Sequence, residues 1–86
     1  MLSEFLDDDY AFGQRLRAER ERLGLAVHEL AHLGGFVDVV QRQFEAGERP
    51  IPIDYLQALL LRTDVDVPFL ITGRRGKGIR PLNNLT

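Results

Sequence analysis

Apolar side chains recur along this 86-residue chain at the spacing of one helix face, and glycine and proline separate the segments that show this pattern. The first segment covers about residues 9–23, where Phe12 and Leu16 lie one turn apart among charged residues. We expect the three aspartates at residues 7–9 to cap this helix. Gly24 is placed to end it in a left-handed turn.

The same pattern predicts four more helices, at about residues 26–33, 37–45, 52–62 and 67–71. Gly34 and Gly35 separate the second helix from the third, and Pro52 suits the first position of the fourth. Asp66 can cap the fifth helix, and Gly73 closes it. The sequence therefore predicts five short helices separated by tight turns.

The fourth helix is expected to turn four apolar residues inward: Tyr55, Leu56, Leu59 and Leu60. No segment shows the alternation of a convincing strand, so the predicted fold class is all-α, a compact five-helix domain. The second and third helices, with the glycine pair between them, have the length and the loop of a helix-turn-helix.

Composition limits the chain to one small domain. At this size only roughly 60% of the unfolded surface becomes buried, which excludes barrels, doubly wound sheets and two-lobed enzymes. The chain is 44% hydrophobic and 28% charged, and it contains no cysteine, so disulfides, thiolate metal clusters and thiol nucleophiles are excluded. Acidic residues stand near the N-terminus where a signal peptide has basic ones, and we expect a cytoplasmic protein.

Charge is unevenly distributed, although 11 basic and 13 acidic residues leave a net charge of only −2. Four of the acids lie in residues 1–9, which we interpret as an acidic N-terminal extension, and from residue 10 onward 11 basic residues accompany the remaining 9 acidic ones. Residues 10–73 are expected to form the helical domain. Residues 74–86 form a basic tail, which we expect to be flexible because glycine and proline punctuate it without apolar periodicity.

Several landmarks along residues 10–75 resemble the lambda-repressor-like (Xre) DNA-binding domain, especially the regulators of prophage type. The matching segments are Phe-Gly-Gln-Arg-Leu-Arg-Ala-Glu-Arg-Glu-Arg-Leu-Gly-Leu at residues 12–25, Glu-Leu-Ala at 29–31, Phe-Glu-Ala-Gly-Glu-Arg at 44–49, Asp-Tyr-Leu at 54–56 and Val-Asp-Val-Pro-Phe-Leu-Ile-Thr-Gly at 65–73. The resemblance implies that Arg20 and Glu45 form an ion pair between the first and third helices. It also places the small residue Ala31 where the two motif helices cross.

The resemblance implies a DNA-binding transcriptional regulator, of the phage or prophage repressor type, that needs no cofactor. Such a protein binds a palindromic operator as a homodimer, with half-sites about 34 Å apart. Three apolar side chains, those of Tyr55, Phe69 and Ile71, are candidates for the dimer surface together with the tail.

The same resemblance assigns the DNA-contacting side chains to the third helix and the turn after it. Asp38 and Val39 open that helix, and Gln43 follows one turn later on the same side. The polar stretch of Gln41, Arg42 and Gln43 faces the major groove, where Gln43 can bind adenine and Arg42 can reach a phosphate or guanine. Arg49 is a candidate phosphate contact. The alternative interpretation of this stretch is an ordinary solvated helix face.

Departures from the family pattern make a second function possible. Apolar residues occupy several positions where the family has polar capping or DNA-facing ones, and Asp38 adds negative charge where phosphates would approach. Either the valine methyls contact thymine methyls, or Phe36, Val37, Val39 and Val40 form an apolar patch for a protein partner. The second interpretation describes an interaction module, antitoxin-like or an anti-regulator, with weakened or lost DNA binding.

His28, Glu29 and His32 spell the H-E-x-x-H motif of zinc proteases. At about 100° per residue, the two histidines share a helix face, but Leu30 and Leu33 lie on the opposite face. We therefore expect the histidines to face solvent. No third metal ligand is evident, so the motif is interpreted as a coincidence, with no metal site and no enzymatic activity.

Overall fold

The structure, a computed structural model, describes the backbone of residues 2–75 and the side chains of residues 9–75. In this part of the chain there are five helices and no strand: α1 (Leu2–Arg22), α2 (Val27–Leu33), α3 (Asp38–Ala46), α4 (Ile53–Arg62) and α5 (Val67–Thr72). The predicted all-α class with five helices is confirmed. None of these helices is long and apolar enough to cross a membrane. Residues 76–86, most of the predicted basic tail, lie outside the described residues.

Helix α1 starts well before the predicted position. It begins at Leu2, so residues 7–9 lie within the helix instead of capping it, and the acidic extension continues directly into the domain. No glycine or proline interrupts residues 2–12, and acidic side chains near a helix N-terminus are favourable. At the other end, Gly24 turns the chain with φ of +72°, as predicted.

The starts of α2 and α5 depend on carboxylates. The Ala26 N–H donates to Glu29 Oε1 at 2.7 Å, which gives α2 a cap although Ala26 has no polar side chain. Asp66 Oδ1 accepts from the Phe69 N–H at 3.0 Å, so the predicted cap of α5 is confirmed. Pro52 differs slightly from its prediction, since it is the N-cap of α4 and not its first helical residue.

A single hydrophobic core lies between the helices. Its buried members are Leu16, Leu30, Phe44, Tyr55, Leu56, Leu59, Val65, Val67 and Leu70. Three rings meet edge to face at its centre, where Phe44 packs on Tyr55 at 4.9 Å and on Phe36 at 5.4 Å between ring centroids. Leu60 was predicted to point inward but is 61% exposed, because the inner face of α4 is filled by its neighbours Tyr55, Leu56 and Leu59.

Two glycines allow close helix packing. A Cβ on Gly13 would collide with the backbone oxygens of Phe44 and Glu45, so the absent side chain lets α1 lie directly against α3. A Cβ on Gly34 would collide with the Tyr55 ring, although the backbone of Gly34 is ordinary right-handed helix. Neither position has room for a side chain, and the absence of one at Gly13 is what lets α3 lie close to α1.

Candidate functional site

The inner face of α3 is polar as well as apolar. Gln41 is fully buried, its Nε2 donates to Glu45 Oε2 at 2.7 Å, and its Oε1 accepts from the Tyr55 hydroxyl at 2.5 Å. The prediction that Gln41 contacts DNA is therefore wrong, because both ends of its amide are used inside the protein. Burial raises the pKa of the Tyr55 hydroxyl above its usual value, so the ring stays a neutral hydrogen-bond donor.

The ion pair implied by the resemblance is present. Arg20 Nε and Nη2 donate to the two Glu45 oxygens at 2.7 and 3.0 Å, and Nη1 donates to the Leu25 carbonyl at 3.0 Å. The side chains are only 13% and 9% exposed, and hydrogen bonding to Glu45 raises the pKa of Arg20. Losing one partner of such a pair would leave a buried charge, at a cost of about 3–5 kcal/mol. The pair therefore fixes α3 against α1.

The outer face of α3 carries most of the remaining predicted contact residues. Val39 is 60% exposed, Asp38 and Arg42 are exposed, and Gln43 is half-buried. Among the described residues Arg42 makes no ion pair or side-chain hydrogen bond, so its guanidinium is available to a ligand. The helix thus presents three side chains outward, the cation Arg42, the anion Asp38 and the apolar Val39. The amide side chain of Gln43 lies at the edge of this face.

The side chains of Arg49 and Gln43 form a hydrogen bond that was not predicted from the sequence. Arg49 lies after the turn at Gly47, and its Nε donates to Gln43 Oε1 at 2.8 Å. The left-handed conformation of Gly47 (φ +75°) folds the chain back so that residues six apart can meet. The contact leaves the Gln43 amide NH₂ as a donor and engages one side of its carbonyl oxygen.

The predicted apolar patch is smaller than expected. Phe36 and Val40 are half-buried and pack against the core, whereas Val37 and Val39 are 59% and 60% exposed. Phe36 lies inward because its ring fits against Phe44. Only two of the four proposed patch residues are therefore mostly exposed.

A groove of about 540 Å³ borders this face of α3. It is lined by Tyr10, Gln14, Arg17, Arg20, Val27, Arg42, Glu45 and Ala46, which come from α1, the start of α2 and α3. Arg17 pairs with Glu21 at 3.1 Å on the exposed surface of α1, and it lines the groove together with Arg42. The groove therefore joins the outer face of α3 to α1, and both arginines on its α1 side are paired with carboxylates.

The H-E-x-x-H residues lie on the surface of α2. His28, Glu29 and His32 are all exposed, and Glu29 is engaged in capping the helix. Among residues 9–75 no group of three metal-ligating side chains is close enough to hold an ion. Ala31, on the opposite side of α2, is 1% exposed, in accord with its expected place at the helix crossing.

A second buried charge, Glu19, was not found from the sequence. Its carboxylate accepts from Arg22 Nε at 2.8 Å, from the Asp66 N–H at 2.8 Å and from Arg75 Nη1 at 2.7 Å. Burial opposes the charged form, but these hydrogen bonds outweigh it and lower the pKa of Glu19 from 4.5 to about 2. The cluster ties α1 to the start of α5 and to the first residues of the tail.

Of the three residues predicted for a dimer surface, only one is well exposed. Tyr55 is fully buried and cannot take part, since its ring and hydroxyl are used in the core. Phe69 is half-buried, and the Arg75 guanidinium lies 3.8 Å from its ring centroid. Ile71 remains accessible at 57% exposure.

Comparison of the chain with protein-family models, with curated proteins and with solved structures found no match.

Proposed function

We propose that this chain is a DNA-binding transcriptional regulator in which α2 and α3 act as a helix-turn-helix and α3 enters the major groove. The observation that carries the proposal is the division of α3 into two faces. Gln41, Phe44 and Glu45 hold the helix from inside, and Val39 and Arg42 face outward. The major groove of B-DNA admits a single helix, and a rigid helix keeps its side chains in register with the bases.

The outward residues have distinct roles in this proposal. Arg42 binds a phosphate or guanine O6/N7, and Val39 packs against a thymine methyl group. Gln43 donates from its amide NH₂ to a base acceptor. Arg49 holds the Gln43 side-chain oxygen by a hydrogen bond and contacts a phosphate of the DNA backbone. Asp38 lies at the end of α3 that is nearest the DNA, where it disfavours a close phosphate and accepts a hydrogen bond from cytosine N4. The groove beside α3 adds Arg17 near the same strand.

The regulator acts in this proposal as a homodimer on a palindromic operator, as repressors of the phage type do. Two copies related by a two-fold axis place their α3 helices in successive major grooves, about 34 Å apart. The binding module requires no cofactor. We place it in the cytoplasm, where DNA is accessible.

The test is fluorescence anisotropy with a labelled duplex covering the DNA upstream of the chain's own coding sequence, backed by selection from random duplexes. Affinity should fall steeply with salt, and Arg42→Ala should weaken binding and lower the salt slope by about one. The matched control is Arg74→Ala, which removes an exposed arginine outside α2 and α3. If both substitutions change the slope equally, or neither does, α3 is not the DNA-binding element.

The exposed pair Val37 and Val39, with Asp38 between them, favours a second function. These side chains suit a protein partner better than a polyanion, and such a chain would be an interaction module of the antitoxin or anti-regulator type. In that case no duplex binds with salt dependence. A protein encoded beside the chain co-purifies with it, and Val39→Lys abolishes the complex without unfolding the domain.

A further inference from the structure

A carboxylate at the contact between α1 and α5 binds two guanidinium groups at once. Glu19 is fully buried, and its Oε1 accepts from Arg22 Nη2 at 2.9 Å and from the Asp66 N–H at 2.8 Å. Its Oε2 accepts from Arg22 Nε at 2.8 Å and lies 2.7 Å from Arg75 Nη1. Arg75 thus completes the set of donors that surrounds this buried carboxylate.

The other contacts of Arg75 are also those of a bound cation. Its Cζ lies 3.8 Å from the centroid of the Phe69 ring, and its Nη1 lies 3.5 Å from Asp66 Oδ2. A planar guanidinium binds the face of an aromatic ring and the oxygens of a carboxylate together, whereas an ammonium group has no plane to place over the ring. We call Glu19, Asp66 and Phe69 the guanidinium site.

The two arginines at Glu19 differ in how they belong to the fold. Arg22 lies on α1, and its Nη2 also donates to the Asp64 carbonyl at 3.1 Å, so it joins α1 to the segment before α5. Arg75 follows the C-cap of α5 at Gly73, and its side chain is 45% exposed. Glu19 would keep its other three hydrogen bonds without Arg75. The position that Arg75 occupies is therefore open to solvent on one side, and it has a frame that does not include Arg75.

The charges of the frame leave room for one more cation. Without Arg75, the two carboxylates of Glu19 and Asp66 face the single guanidinium of Arg22. A buried carboxylate that loses one partner is costly unless another cation replaces it. The frame therefore favours a cation at the position over the Phe69 ring.

We propose that Glu19, Asp66 and Phe69 form a binding site for the guanidinium group of an arginine. Arg75 is its occupant within the chain, and an arginine side chain of another molecule takes the same place when Arg75 is absent. One guanidinium fits, so binding from outside and fastening of the chain through Arg75 exclude each other. The site does not depend on the proposed function, since none of its residues lies on α2 or α3.

Chemical rescue of Arg75→Ala tests the site by thermal unfolding. The substitution should lower the Tm by about 4 °C or more, because it removes a cation from a buried carboxylate. Guanidinium chloride at about 50 mM, far below its denaturing concentration, should restore about half of this loss, since a ligand that binds only the folded state stabilises it. N-Acetylarginine amide should do the same. Equal concentrations of the lysine compound or of sodium chloride should not.

Three further proteins serve as controls. The wild type should gain no stability from guanidinium, because Arg75 holds the site, and neither should Arg74→Ala, which removes the exposed neighbouring arginine. Rescue should be lost in Glu19→Gln/Arg75→Ala. Phe69→Leu/Arg75→Ala removes the ring but keeps an apolar side chain, and it should need several times more guanidinium for the same gain. This variant keeps the test decisive if the Glu19 variant does not fold.

The proposal is overturned by any of three results. Guanidinium stabilises Arg75→Ala no more than it stabilises Arg74→Ala, or the lysine compound or sodium chloride restores the Tm equally well. The third is a rescue that is undiminished by Phe69→Leu. Either of the first two would show that Arg75 contributes only general charge, and the third would show that the ring plays no part in binding.

Discussion

Acidification should destabilise this domain through one carboxylate, Glu19. The hydrogen bonds from Arg22, Arg75 and the Asp66 N–H lower its pKa from 4.5 to about 2. Each pKa unit corresponds to about 1.4 kcal/mol, so the charged carboxylate stabilises the folded state by about 3 kcal/mol at neutral pH. Because the folded-state pKa is the lower one, this contribution is complete above pH 4.5 and is lost as the pH falls through 2.

The predicted loss is large enough to measure. About 2 kcal/mol should disappear between pH 7 and pH 3, out of a total stability of about 5–15 kcal/mol for a domain of this class. The assay is urea unfolding followed by circular dichroism at a series of pH values between these limits. Glu19→Gln should be less stable than the wild type at pH 7, and the difference between the two should shrink by about 2 kcal/mol at pH 3.

Glu21→Gln is the matched control, since Glu21 lies on the same helix and pairs with Arg17 but is 56% exposed. Its removal should change stability by about 0–1 kcal/mol, with little pH dependence. If the difference between the wild type and Glu19→Gln stays constant from pH 7 to pH 3, the carboxylate is not held in its charged form by these three donors. An equal pH dependence for Glu21→Gln would refute the reasoning in the same way.

Other predictions concern the packing and the polar interior. Gly34→Ala should lower the free energy of unfolding by about 1–3 kcal/mol, because its methyl group collides with the Tyr55 ring, and thermal unfolding measures the loss. Tyr55→Phe should cost about 1–3 kcal/mol in urea unfolding, since it removes the donor to the buried Gln41 amide. Glu29→Ala should cost about 1 kcal/mol by removing the acceptor at the start of α2, whereas His28→Ala beside it should change the unfolding midpoint little.

Local sequence signals predicted the helices well because glycine and proline mark their ends independently of distant contacts. Asp66 and Gly24 act as the pattern predicted, since a cap or a left-handed turn needs only its near neighbours. The predicted start of α1 was wrong because it relied on a local capping signal alone. The three aspartates are good capping residues, but nothing in the preceding segment stops the helix, so it continues to Leu2.

The polar interior depended on partners that are far away in sequence. Glutamine usually lies on the surface, and the burial of Gln41 requires the Tyr55 hydroxyl, 14 positions later, in addition to the nearby Glu45 carboxylate. Glu19 was similarly hidden, because its acceptor role requires the Asp66 N–H 47 positions away. For Leu60 the error was the opposite one: it was predicted to be buried but is exposed. Periodicity alone cannot distinguish a core leucine from one on an apolar outer face. The Arg20–Glu45 pair was anticipated through family resemblance and not through any local pattern.

The bonds on the inner side of α3 also bear on how freely its outer side can vary. Hydrogen bonds are directional, so the chain from Arg20 through Glu45 and Gln41 to Tyr55 sets the rotation of α3 about its own axis as well as its depth. None of these atoms belongs to the outward positions 38, 39 and 42. Those three positions can therefore be randomised together as a cassette, and most members of such a library should fold and differ only in what they recognise.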